Sequence, residues 1–311
     1  MSVRPLHETK VIMTNKPGAI EFPSKVGVFW NSEPWPIRDA QNMAREIEAL
    51  GYGSLFMPEG NGKDVLVESA ALLGATDRLV VGTGIANIHV RLPTAAESGA
   101  RMLTALYPGR FVLGLGVSHA PFVEGSLGGA YRKPLAMMRA YLDGMNAVPA
   151  ELESGSRPTR LLAALGPKMI ELSGEGADGA HPYLVLPDQT RNTRAILGED
   201  PWIVTEQAIA IGGSVDDQLR RAHSHLDLYS RLDNYRNSWL RQGFDETDLV
   251  IGGSERLARA LVGMGTAEEA AASVTAHLDA GADHVVVQVA VDDPTDDPLP
   301  NLRALAAALG L

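Results

Sequence analysis

Residues Asp77–His119 read D-R-L-V-V-G-T-G-I-A-N-I-H-V-R-L-P-T-A-A-E-S-G-A-R-M-L-T-A-L-Y-P-G-R-F-V-L-G-L-G-V-S-H. Two apolar, β-branched runs, Leu79–Val81 and Phe111–Leu115, flank one helical pattern, Thr94–Leu106, with Pro93 at its start. A short buried strand, a crossover helix and a second short buried strand make a βαβ unit. Both strands run into small residues, Gly82-Thr83-Gly84 and Gly114-Leu115-Gly116. At the carboxyl ends of parallel strands, small residues let a flat or anionic group approach the backbone.

The same alternation extends in both directions. Upstream, residues 1–24 read as an N-terminal arm. Lys25–Trp30 is a first strand, Arg38–Leu50 a helix closed by Gly51, Gly53–Met57 a second strand, and Asp64–Ala75 a helix with Asp64 as N-cap. Downstream come a Gly-rich loop over 117–130, a helix over Tyr131–Val148 and a polar linker over Glu151–Pro158. A fifth strand, Thr159–Leu165, feeds a helix that begins at Gly166-Pro167-Lys168. Gly179–Leu186 contains a sixth strand, Asp188–Leu197 is a helix with Asp188 as N-cap, and Trp202–Ile211 is a seventh strand. A helical insertion over about 214–265 contains Ser214–Arg241 and a helix Ser254–Val262. Thr266–Ala280 opens with a capping box, Thr266 and Glu269, and Asp283–Val289 is the eighth strand. Eight strands, each followed by helix, give an α/β chain whose economical architecture is a (β/α)8 TIM barrel over 25–311, with a helical insertion after strand 7. An open doubly wound sheet is the rival arrangement.

The 311 residues carry a net charge of −11, 45% hydrophobic residues and no cysteine. The acidic balance argues against nucleic acid and anionic membrane surfaces as partners. Disulfides, zinc–thiolate sites and thiol catalysis are absent. No apolar run reaches the roughly 18 residues of a membrane span, and the N-terminus lacks the apolar core of a signal peptide, so a cytoplasmic location is expected.

In such a barrel the chemistry sits at the carboxyl ends of the strands. That selects Asn31, Glu59, Thr83 to His89, Val117 to His119 and Leu165 to Lys168. Pro167 at a first helical turn leaves the next amides free for an anion, or simply starts a tight βα turn. His119 could move a proton near neutral pH, or bond a loop carbonyl. Glu59 could hold a ligand hydroxyl or N–H, or be a solvated turn carboxylate. Arg91 could meet an anionic ligand or pair with Glu97. His223 and His225, two apart, do not share a helix face, so no metal site is expected there. G-L-G-V-S-H lacks the third glycine of a dinucleotide fingerprint.

Several stretches together resemble the luciferase-like family of flavin and deazaflavin (β/α)8 oxidoreductases. They are Ser54–Glu59 (S-L-F-M-P-E), Val81–Ile85 (V-G-T-G-I) with Arg91 and Pro93, Gly109–Gly116 (G-R-F-V-L-G-L-G), Ala163–Met169 (A-A-L-G-P-K-M) through Ala177-Asp178-Gly179, and Gly281–Val285 (G-A-D-H-V). G-R-F-V-L-G-L-G, A-L-G-P-K-M and A-D-G resemble most the branch using coenzyme F420, an 8-hydroxy-5-deazaflavin. The resemblance implies a cis Gly84–Ile85 peptide forming a bulge behind the deazaflavin ring, Glu59 near that ring, and the cofactor phosphate at Gly166 and its neighbours. The candidate cofactor-binding set is Glu59, Thr83, Gly84, Ile85, Gly116, Ser118, Leu165, Gly166, Pro167 and Lys168; the candidate catalytic residues are His119 and Glu59. His119 stands where sugar-phosphate dehydrogenases of that branch carry an acid, and Gly60 where they carry a histidine, which argues against that substrate. The implied activity is F420-dependent hydride transfer to or from a small organic substrate, by a homodimer. The alternatives are a reduced-FMN monooxygenase using O2 and a non-catalytic flavin-binding protein. Arg132, Lys133, Arg157, Arg160, Lys168, Arg191 and Arg194 are expected near the strand-end face, where some would meet the anionic tail of F420.

Overall fold

A computed structural model of the chain describes residues 20–149 and 157–311. Most of the arm (1–19) and most of the polar linker (150–156) lie outside the described residues. The strands are β1 (Val26–Phe29), β2 (Ser54–Met57), β3 (Val80–Thr83), β4 (Ala86–Asn87), β5 (Phe111–Gly116), β6 (Thr159–Leu162), β7 (Gly179–Ala180), β8 (Trp202–Ile211), β9 (Val262–Gly265) and β10 (His284–Val289). The helices are α1 (Ile37–Ala49), α2 (Val65–Leu73), α3 (Pro93–Leu106), α4 (Ala120–Gly125), α5 (Pro134–Asn146), α6 (Pro167–Gly176), α7 (Pro187–Leu197), α8 (Val215–Asp227), α9 (Asp233–Arg241), α10 (Glu255–Leu261), α11 (Ala267–Asp279) and α12 (Leu299–Leu309).

Eight parallel strands, in the order β1-β2-β3-β5-β6-β7-β8-β10, close on themselves through Val26↔Val285 and its neighbours. The chain is therefore a (β/α)8 barrel, and the open sheet is excluded. The period-2 pattern of the strands sorts their side chains onto two faces. Val28, Leu55, Val81, Leu113 and Val285 belong to the shell that packs against the helices. Their neighbours Phe29, Phe56, Val80, Val112 and Val286 belong to a second cluster, inside the barrel. That inner cluster runs without a break into Leu226, Leu232, Tyr235 and Trp239, so the insertion after β8 caps one end of the barrel rather than hanging from it.

Several local expectations change. Residues 117–130 hold a short helix, α4, as well as loop. Asp188 is not an N-cap: α7 starts one residue earlier behind Leu186, and Asp188 in the first turn pairs with Arg191 instead. The helix expected over Ser254–Val262 ends at Leu261, and Val262–Gly265 is a strand, β9, laid beside the far end of β8. The sixth barrel strand is only two residues long. Asp64 caps α2, accepting from the amides of Leu66 and Val67 at 2.9 and 3.0 Å, and the Thr266–Glu269 capping box opens α11. Residues 20–24 pack against the barrel rather than apart from it: Ile20 is buried, and Phe22 stacks on His284 with ring centroids 3.9 Å apart. Among the described residues no helix is long and apolar enough to cross a membrane.

Charge inside this fold is tightly managed. Glu97 on α3 is fully buried and accepts from Arg101 (2.7 Å) and from Arg160 of β6 (2.6 Å). Burial lowers His181, His225 and His277 to about 4 and His284 to about 3. An unfolded histidine ionises near 6.5. Below that pH the unfolded chain takes up protons that the folded barrel refuses. The stability these groups confer is full above about 6.5 and is lost as pH falls towards 4, on the order of 1–3 kcal/mol each. Glu206, buried on β8, runs the other way. Burial raises its carboxyl to about 8, partly offset by the hydrogen bond from the Leu184 amide. The folded state then keeps a proton that an unfolded glutamic acid releases near 4.3. Its contribution is full below that value and is lost as pH rises to about 8. Thermal melts should therefore show the melting temperature falling steeply between pH 6.5 and 4. Glu206→Gln should melt within a degree or so of the parent at pH 4.5 and progressively higher than it up to pH 8.5. A difference that does not change with pH would show that Glu206 is ionised in the folded chain throughout.

Candidate active site

The carboxyl ends of the barrel strands and the insertion enclose a cavity of about 610 Å³. On the β3 side its wall is a bulge. The Gly84–Ile85 peptide is cis, as the resemblance implied. The Gly84 amide donates to Met57 O (2.7 Å), and Ile85 O accepts from the Glu59 amide (3.3 Å). Directly after the bulge, β4 pairs with the end of β5, Ala86 against Leu115 and Asn87 against Gly116. A Cβ on Gly116 would lie 2.4–2.5 Å from the Ile85 side chain, so any larger residue there would have to displace Ile85.

Glu59 is not a solvated turn carboxylate. Its side chain is 1% exposed and accepts from both terminal nitrogens of Arg91 and from the Asn87 amide (2.7 Å). Arg91 also reaches Asp64 (3.3 Å), the α2 cap. Arg91 thus pairs with Glu59 and Asp64, not with Glu97, because Glu97 already holds two other arginines.

His119 follows Ser118, whose φ of 59° turns the chain at the end of β5, and it begins α4, its carbonyl accepting from Phe122 and Val123. Its ring lies 5.8 Å from that of Tyr235. Burial lowers its pKa, and a hydrogen bond with Asn234 partly offsets this, so the imidazole is neutral near pH 7. Across the cavity, Gly166 precedes α6 and its carbonyl accepts from Met169 and Ile170, both at 3.0 Å. Pro167 has no N–H, and the Lys168 amide has no partner among the described residues. A Cβ on Gly166 would meet nothing within 4 Å, so this helix end is open to an anion.

Of the candidate residues, Glu59, Gly84, Ile85, Gly116, Ser118, His119, Leu165 and Gly166 line the one cavity. Thr83, Pro167 and Lys168 do not. Thr83 is fully buried and donates to Gly114 O (2.6 Å), which ties β3 to β5. Lys168 is exposed beside the lining residue Met169. Four of the cations expected near the strand-end face are committed elsewhere: Arg157 to Asp178, Arg160 to Glu97, Arg191 to Asp188 and Arg194 to Asp283. Arg157 precedes β6 and Arg160 is its second residue, so both belong to the amino end of the strand.

The sequence reading missed the opposite wall: His181 after β7, Tyr183, Tyr229 and Tyr235 of the insertion, and Gln288 on β10. Behind it Glu206 accepts from the Leu184 amide (3.0 Å) and Trp239 donates to Leu184 O (3.1 Å). These two bonds hold Leu184 at φ 52° and fix Tyr183 beside it. A signal existed. Glu206 and Gln288 stand inside buried strands, and polar groups in such places need a reason.

The family description luciferase-like monooxygenase matches residues 20–284. A putative coenzyme F420-dependent oxidoreductase of Mycobacterium tuberculosis is 34% identical over 190 residues, 51% of this chain and 54% of that protein. This chain thus spans about half the length of that relative. Among solved structures, an F420-dependent secondary alcohol dehydrogenase in complex with an F420-acetone adduct superposes with a TM-score of 0.75 at 14% identity, covering 92% of this chain and 99% of that one. The oxygenating constituent of 3,6-diketocamphane monooxygenase of Pseudomonas putida, in complex with FMN, gives 0.64 at 14% identity, covering 91% and 96%. At such identities these likenesses speak for the barrel, while the family match covers most of the chain. The bulge, the helix end at Gly166 and that match agree: the chain belongs to the luciferase-like monooxygenase family.

Proposed function

We propose that the chain is an oxidoreductase that holds a deazaflavin of the F420 type and passes a hydride between it and a small organic substrate. The observation that carries this is one cavity with a flat apolar bulge on one side and an unfilled helix N-terminus on another, which suits a tricyclic ring joined to a phosphate. The 34% identical relative supports the choice of deazaflavin. When bound, the deazaflavin supplies the ring carbon that carries the hydride. The chain does the rest. Ile85 and Gly116 back the ring, and Arg91 holds Glu59 so that the carboxylate pins the amide of Asn87 and keeps the bulge in place. The α6 N-terminus takes the phosphate. His119, neutral and half-buried, exchanges the substrate's proton.

A reduced-FMN monooxygenase is the second reading. The FMN-bound neighbour supports it, and so does the scarcity of cations, since of the seven expected only Arg132, Lys133 and Lys168 remain without an acidic partner among the described residues. Calorimetric titration separates the two. Oxidised F420 should bind at least tenfold tighter than FMN at low salt, and the advantage should shrink at high salt because exposed ion pairs are weak and screened. Equal affinities, or a preference for FMN, would transfer the assignment to the monooxygenase.

His119→Ala should cut turnover about 10²–10⁴-fold while the cofactor Kd stays within a few-fold, as for loss of a positioned proton carrier. A loss of cofactor affinity with unchanged turnover per bound cofactor would make His119 a loop-shaping residue instead.

A further inference from the structure

Part of the cavity lining, reaching to the Gly84 end of the bulge, is built of neutral polar groups. His181 is 2% exposed and lines the cavity. Its Nδ1 lies 2.6 Å from Val204 O, and because a carbonyl only accepts, Nδ1 carries the proton. Nε2 is then a bare acceptor, and it has no partner among the described residues. A buried acceptor left without a donor costs about 1–3 kcal/mol, so the site is built for a group that arrives from outside the chain. Phe29 joins His181 to Tyr183, its ring lying 6.2 Å from the first and 5.4 Å from the second. The Tyr183 hydroxyl donates to Gln288 Oε1 (2.8 Å), so the Tyr229 hydroxyl, 2.9 Å away, donates to Tyr183. This chain of hydroxyls ends on a glutamine amide whose nitrogen has no partner among the described residues, and Gln288 lines the same cavity. Acceptor and donor thus belong to residues that line one cavity.

Few charges line the cavity. Among the described residues no lysine or arginine lines it. Its two carboxylates are occupied: Glu59 by Arg91, and Glu33 by the amides of Gly62 (2.9 Å) and Lys63 (3.3 Å). An anion pressed against this wall would be desolvated with no cation to meet it.

We propose that the wall formed by His181, Tyr183, Tyr229 and Gln288 is a neutral subsite that takes a hydroxyl or carboxamide of an uncharged organic substrate, with His181 Nε2 as acceptor and the Gln288 amide as donor, and that phosphorylated and carboxylated substrates are refused. This rests on the oxidoreductase reading only in calling the ligand a substrate. The wall makes the discrimination whether the bound ring is a deazaflavin or a flavin.

Matched probes on one ring test it: cyclohexanol and cyclohexanecarboxamide against cyclohexyl phosphate and cyclohexanecarboxylate. Binding is read by ligand-observed NMR on the full chain, with and without the cofactor found by titration. At least one neutral probe should bind about tenfold or more tighter than both anions. His181→Phe, which keeps the ring but removes the acceptor, should weaken that probe about tenfold and leave the cofactor Kd within about twofold, the loss expected for one buried hydrogen bond. Gln288→Leu should weaken it similarly, and it decides the matter if His181→Phe does not fold. Anions binding as tightly as the neutral probes would overturn the proposal. So would failure of both neutral probes to bind, or undiminished binding of the neutral probe to whichever of the two variants folds, which would mean that the wall holds only water. If deazaflavin fails to bind while a neutral probe still binds in a His181-dependent way, the cofactor reading falls and the subsite stands.

Discussion

A buried carboxylate can keep its charge only if something pays for the water it lost, and at Glu59 that something is the Arg91 guanidinium. Much of the cavity's geometry hangs from this pair. Glu59 fixes Asn87, and Asn87 ends the short pairing of β4 with β5 that anchors one flank of the bulge. Arg91 reaches on to Asp64, which caps α2, and its carbonyl accepts from Tyr141 of α5. One ion pair therefore sets the end of β2, the bulge after β3, the start of α2 and the seat of α5. Either charge left alone in this partly desolvated place would cost several kcal/mol.

The barrel was legible in the sequence because its strands obey one rule twice. The strands are short, buried and mostly apolar, and most meet a helix through a turn of small or capping residues. Trp202–Ile211, with all ten residues buried, could be placed to the residue. β9 was not legible, because Val262-Gly263-Met264-Gly265 holds only two apolar side chains between glycines, too few to show a strand period. The short β7 was blurred for a related reason: two residues, Gly179 and Ala180, carry no period.

The site was half legible. Residues at strand ends whose backbone matters, Gly84, Gly116 and Gly166, announced themselves through their smallness. The opposite wall did not, since Tyr183, Tyr229 and Gln288 come from three distant parts of the chain and meet only after the insertion folds over the barrel. The charges were harder still. Arg157, Arg160, Arg191 and Arg194 lie near the right strands, but which end of a strand a side chain serves depends on its position along it, and all four are spent on carboxylates away from the cavity.

Ile85 and Gly116 fill one space between them: the branched side chain of the first occupies the volume a Cβ on the second would need. Neither position can drift alone. A larger residue at 116 becomes tolerable only with a smaller one at 85, so the two are bound by epistasis although one sits in the bulge after β3 and the other at the end of β5. Paired exchange at these positions would mark chains that rebuilt this cavity floor together, and would separate them from chains that share the barrel but floor the cavity some other way.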